Sequence, residues 1–263
     1  MRNVLAFVLL GSALVGCLRN KDEEVMTAES ALDSADSVQA EGNIMMANVD
    51  GADMAGVTAL TGEEVAVRIA ANISLRWPST CRTVTTDGAS ITITYNDCTG
   101  PRGLIHVSGQ LVLTVSVRLD GTIVVHGTSG DLTVNDAHLV VDVDAAYSIS
   151  GTNHTLVVTT NGSATGPRGN DLEHVGNYTI AWDSASQCGS LSGSWATEAT
   201  IDGQTATRST TVQLQKCLGS CPVGTIDRTF RTGATMTVTF DGTATAQWQT
   251  STGRSGTIAL QCR

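Results

Sequence analysis

Seven cysteines, five histidines and a closely spaced pair of aspartates carry most of the chemical potential in this chain of 263 residues. Cys17 stands near the start, and Cys81, Cys98, Cys188, Cys217, Cys221 and Cys262 form an even set. An even set suits disulfides in an oxidising compartment. A thiolate metal site wants C-x2-C-like pairs, and the one close pair, Cys217 and Cys221, has three residues between its members. His106, His126, His138, His154 and His174 are scattered over different expected strands, with no i,i+4 pair and no adjoining acid cluster, so the sequence assembles neither a metal site nor a triad from them. Asp142 and Asp144 point to one strand face; paired carboxylates bind calcium or serve as acid and base, but nothing in the sequence sets a second pair opposite them. Nucleophile elbow, zinc-protease, phosphate-loop and dinucleotide motifs do not occur. No catalytic residue, cofactor or metal is therefore expected.

A short repeat adds one more set of candidates. Thr99-Gly100-Pro101-Arg102-Gly103 recurs letter for letter as Thr165-Gly166-Pro167-Arg168-Gly169, with His106 following the first copy and His174 the second. Proline after the first glycine suits a type I turn, so a duplicated turn with its flanking strands is the expectation. The functional alternative is a pair of equivalent ligand loops, presenting Arg102 with His106 and Arg168 with His174.

The elements that must position these residues are mostly strands. From about Cys81 onward apolar and polar residues alternate: Ile91, Ile93 and Tyr95; Leu111, Leu113, Val115 and Val117; Leu139, Val141 and Val143; Met236, Val238 and Phe240; Ala244, Ala246 and Trp248. Such strands bury one face and wet the other, as antiparallel sheets do. Asp87-Gly88, Asp120-Gly121, Asn161-Gly162, Asp202-Gly203 and Asp241-Gly242 read as hairpin turns between them. The expectation is an all-β, mainly antiparallel meander of roughly ten to fourteen strands, built as a sandwich, a barrel or one curled sheet. Trp182, Trp195 and Trp248 fall on its apolar face. One helix should precede it, from Thr61 to Trp77, with Glu64 completing a capping box and Pro78 ending the run.

One hairpin specifies a bond. If Asp202 and Gly203 form its loop, Ile201 faces Gln204, and stepping outward in pairs brings Cys188 opposite Cys217, within disulfide reach. Cys81 with Cys98 across the Asp87-Gly88 hairpin is off register by a few residues. Cys221 with Cys262 is left by elimination.

The chain's first residues describe an address. Met1-Arg2-Asn3 precede an apolar run from Val4 to Leu14, too short for a membrane span of about 20 residues but suited to a signal peptide over 1–16. Leu14-Val15-Gly16-Cys17 resembles the lipobox of bacterial lipoproteins. That resemblance implies acylation of Cys17 as the mature N-terminus, anchoring to membrane lipid and, with Leu18 rather than aspartate next, the outer membrane in a Gram-negative cell. Residues 17–60 are acidic and irregular, an expected disordered tether carrying most of the net charge of -10. This balance and the lack of a basic stripe exclude nucleic-acid binding as a leading role. With 4 Trp, 3 Tyr and 3 Phe the chain is also poor in residues for sugar stacking.

The remaining span, 61–263, resembles cysteine-containing lipoproteins of bacteria with complex envelopes, a group without an assigned activity. The resemblance rests on Trp77-Pro78, Cys81, Asn96-Asp97-Cys98-Thr99-Gly100-Pro101, Cys221-Pro222, Phe240-Asp241-Gly242 and Cys262. It implies a fold style and an address only; the leading expectation for function is a structural or binding platform in the cell envelope, with an envelope protein or glycan as partner. A hydrolase or transferase with an unrecognised site and a small pore-like barrel are the alternatives.

Overall fold

The computed structural model describes residues 60–76, 80–99, 106–134, 137–166, 171–201, 204–260 and 262. The signal segment, Cys17 and nearly all of the tether lie outside the described residues. A helix α1 (Gly62–Arg76) leads into β1 (Arg82–Asp87), β2 (Ser90–Thr99), β3 (His106–Val117), β4 (Ile123–Val134), β5 (Ala137–Ser150), β6 (Asn153–Thr165) and β7 (Asp171–Asp183). There follow β8 (Cys188–Ile201), β9 (Gln204–Cys217), β10 (Val223–Thr229), β11 (Thr235–Asp241), β12 (Thr245–Thr250) and β13 (Ser255–Ala259). All thirteen strands form one antiparallel sheet in chain order. Among the described residues no ladder joins β13 to β1, so the pairing is that of a single sheet.

Alternation decides which face is packed. Ile91, Ile93, Leu113, Val143, Leu156 and Val158 are buried, while their strand neighbours Thr94, Thr114, Asp142, Asp144, Val157 and Thr159 are exposed. Buried residues of α1 and of β2 to β8 share one apolar cluster, and those of β9, β11 and β12 form a second; Leu191 packs against both. Helix α1 covers only β1 to β3, yet Val143, Leu156 and Val158 farther along are also buried, so the sheet curls around its own apolar face.

Glycines opposite aromatics accompany the curl. Tyr95 faces Gly109, Tyr178 faces Gly193, Trp182 faces Gly189, Trp195 faces Gly176, Phe240 faces Gly224 and Trp248 faces Gly256. Each pair sets a large ring against a position without a side chain, which relieves crowding on the concave side. At Gly224 the backbone takes φ +128, and a Cβ would overlap the Gln213 carbonyl oxygen of β9. All three strand tryptophans thus occupy the packed side, as the alternation required.

Helix α1 starts as its capping box dictates. The Thr61 N–H donates to Glu64 Oε2 at 2.8 Å, and the Glu64 N–H donates to Thr61 Oγ1 at 3.3 Å. The Thr61 N–H bond, joined by the Thr61 hydroxyl donating to Glu64 Oε2 at 3.1 Å, holds the Glu64 carboxyl below its usual range. Val65, Ala66, Ile69, Ala70 and Ile73 are buried, and the helix packs on β1, β2 and β3. Val67, two residues from Val65 and so on a different side of the helix, is 52% exposed.

One turn expectation fails. Asn161-Gly162 lies inside β6, which pairs with β5 without a break from Ser150 opposite Asn153 to His138 opposite Thr165. The reversal is made instead after Ser150, where Gly151 takes φ +62. Gly162 sits where strands approach closely: a Cβ there would stand 3.0 Å from the Val140 carbonyl oxygen. Its glycine serves that approach rather than a turn.

Candidate functional site

Three disulfides pin the sheet at Cys81–Cys98, Cys188–Cys217 and Cys221–Cys262. The second follows from an uninterrupted β8–β9 ladder running from Ile201 opposite Gln204 to Cys188 opposite Cys217. Cys81 and Cys98 meet through a bulge: the β2–β3 register shifts between Tyr95 and Cys98, Asp97 takes φ +48, and the Asn96 N–H donates to the Cys81 carbonyl at 2.7 Å. Cys221 precedes β10 and Cys262 follows β13, so the third bridge ties together strands that are not sheet neighbours.

The repeated loops do not present equivalent histidines. Arg102 and Arg168 lie outside the described residues. His106 begins β3 opposite Thr99, is exposed, and places Nδ1 3.5 Å from Asp97 Oδ1. The matching place after the second copy, opposite Thr165, is held by Asp171, whose Oδ1 accepts from the Thr165 hydroxyl at 3.0 Å. His174 stands farther along β7 and points into the packed side. Strand alternation therefore separates the two histidines onto opposite faces, so they do not form an equivalent pair; the arginine half of the expected ligand loops lies outside the described residues.

His174 is 7% exposed, and Nδ1 lies 3.0 Å from Thr197 Oγ1. Among the described residues neither His174 Nε2 nor Thr160 Oγ1, both buried, has a hydrogen-bond partner. Both approach the same spot above Gly176: a Cβ there would lie 2.8 Å from the hydroxyl and 3.4 Å from the ring nitrogen. Burial pushes the imidazole down to about 4, so it is neutral near pH 7. At the opposite end of the packed face, Tyr147 OH and His154 Nδ1 are 2.6 Å apart, and the His154 ring stacks on Trp182 at 4.9 Å between centroids.

The outer face is different in kind. A cross-strand row runs from Thr114 through His126, Asp144, Thr159, Asn177, Ser194, Thr211, Asp227, Thr237 and Gln249 to Ser255. Short polar side chains dominate this row. Toward the C-terminal edge it forms a trough of about 450 Å³ lined by Thr237, Thr239, Gln247, Trp248, Gln249, Ser255, Gly256 and Thr257. Hydroxyls and carboxamides supply both donors and acceptors there without charge.

Near the β3 end of the row His126 meets both aspartates. It faces Asp144 directly across the β4–β5 ladder, and Asp142 follows two places along on the same face. His126 Nδ1 lies 3.0 Å from Asp144 Oδ1 and 3.7 Å from Asp142 Oδ1. This junction escaped the sequence for a definite reason. Counted outward from Val134 opposite Ala137, an unbroken ladder would set Ala145 against His126; a one-residue shift between Ser129 and Leu132 substitutes Asp144. His138, also exposed, faces Thr133 and Thr165 and has no such neighbours in register.

Comparison with protein-family models, curated proteins and solved structures finds no match for this chain.

Proposed function

We propose that the chain is a lipid-anchored protein of a bacterial cell envelope. Cys17 is its acylated N-terminus, residues 17–60 are an acidic tether, and the body is a rigid β platform that binds an envelope component through its polar face. The observation that carries this reading is the continuous outer row of hydroxyl, carboxamide and carboxylate side chains ending in the β11–β13 trough. A neutral trough rich in paired donors and acceptors suits a hydroxylated polymer, so a glycan is the favoured partner over an apolar protein surface.

The address rests on the apolar leader and Leu14-Val15-Gly16-Cys17, and three disulfides suit the same oxidising space. A platform is favoured over a pore because membrane barrels turn an apolar band outward. Here Val140, Val157, Val175 and Val223 are scattered among polar neighbours on the exposed face.

The test is fractionation of the native envelope with wild-type chain and a Cys17→Ser variant, followed by co-sedimentation of the purified protein with isolated cell-wall glycan. Wild type should partition with membranes and the variant with the soluble fraction, and glycan binding should fall in a Gln247→Ala, Gln249→Ala double variant. Soluble wild-type protein would refute the anchor. Glycan binding indifferent to the double variant would refute the trough.

A further inference from the structure

We propose that His126, Asp142 and Asp144 form a site for a divalent transition ion of the zinc class, held on the outer face by β4 and β5. One donor atom from each residue lies within 4.8 Å of the other two. Zinc bonds of about 2.0–2.2 Å at tetrahedral angles set neighbouring donors roughly 3.4 Å apart. The observed 3.0 Å and 3.7 Å from the imidazole nitrogen to the two carboxylates bracket that spacing. Rotation of exposed aspartate side chains closes the rest. The backbones need not move, since both strands are paired on both sides.

The donor set selects the ion. Calcium and magnesium prefer oxygen alone, whereas one imidazole with two carboxylates suits zinc, copper or nickel. Three protein donors leave at least one position for water or an outside ligand, and the cluster's exposure leaves that position open to solvent.

Charge balance points the same way. Strands β3 to β7 contain no lysine or arginine, yet Asp142 and Asp144 are fixed two residues apart on one face. Of the three histidines on their own strand and the two flanking strands, His126 is the one set beside both carboxylates: His138 of β5 faces Thr133 and Thr165, and His154 of β6 pairs with Tyr147. A dication would compensate both carboxylates while using the imidazole lone pair as a third bond. Thr159 and Asn161 of β6 face Asp144 and Asp142, setting polar neighbours beside the proposed ion. This inference stands apart from the trough, which lies on β11 to β13.

The experiment uses the mature, acylated, disulfide-bonded protein in detergent, without a histidine tag and stripped by chelator. Zinc binding is measured by calorimetry, and cobalt is then added as a spectroscopic reporter. One saturable zinc site is expected, weakened about 10–100-fold or more by His126→Ala and by Asp144→Asn and unchanged by His138→Ala. X-ray absorption of the zinc-loaded wild type should show nitrogen and oxygen ligands without sulfur, a readout that needs no variant to fold. Failure to saturate, affinity indifferent to His126→Ala, or sulfur in the coordination shell would each overturn the assignment.

Discussion

Acidification below pH 6.5 should loosen this fold, and His174 is the reason. In the unfolded chain the imidazole takes a proton near its ordinary value of 6.5, whereas in the folded chain burial holds it to about 4. At a pH above both values the ring is neutral in both states and contributes no pH dependence. As pH falls from 6.5 the unfolded state gains a proton that the folded state refuses, so stability drops until the folded ring also titrates near 4. At about 1.36 kcal/mol per unit, the full loss across that window is roughly 3 kcal/mol. For a domain of this size that lowers Tm by about 6–12 °C. Urea unfolding of wild type and a His174→Gln variant at closely spaced pH values measures the difference. The other four histidines are half-buried or exposed, so the variant isolates the group in question. A wild-type-minus-variant difference that stays constant from pH 6.5 to 4 would refute a neutral, buried His174.

Three further outcomes follow from packing and covalent geometry. Replacing Cys188 and Cys217 by serine releases a loop with a sequence separation of 29, and should cost about 3–4 kcal/mol by chain entropy, read as a lower urea midpoint. Gly224→Ala should cost about 2 kcal/mol or more, because the new methyl meets the Gln213 carbonyl at a φ that alanine avoids; Gly88→Asn, in open space at φ +55, should cost under about 1 kcal/mol in the same melts. Thr61→Ala removes the α1 cap and should lower stability by about 1 kcal/mol, with amide exchange accelerated in the helix's first turn.

Much of this architecture was legible in the residues. Period-2 alternation gave the packed and wet faces of β2, β3, β5 and β11, and the Thr61–Glu64 spacing marked the start of α1. Cys188 opposite Cys217 followed from a hairpin with no irregularity. Bulges mark where such reasoning stops, because one inserted residue exchanges the faces of everything beyond it. The shift between Ser129 and Leu132 joined His126 to Asp144, and no local sequence signal announces it. The shift near Asp97 likewise supplied the offset that Cys81 and Cys98 needed. Glycine was ambiguous in the same way. Gly162 reads as a turn residue, but its neighbours alternate through it, and its role is to admit a nearby strand. The pairing of Gly109, Gly176, Gly189, Gly193, Gly224 and Gly256 with aromatics becomes visible only once register is known.

The outer row gives the protein an extensive hydrogen-bonding surface, and the packed side gives it rigidity. The proposed acylation of Cys17 and the three disulfides are the two covalent features on which the proposed envelope platform depends. The direct test is intact and peptide mass spectrometry of the protein purified from its own cells without reduction. The account predicts a mature chain starting at acylated Cys17 with Cys81–Cys98, Cys188–Cys217 and Cys221–Cys262 linked. An unmodified N-terminus at another residue, or six free thiols, would contradict it.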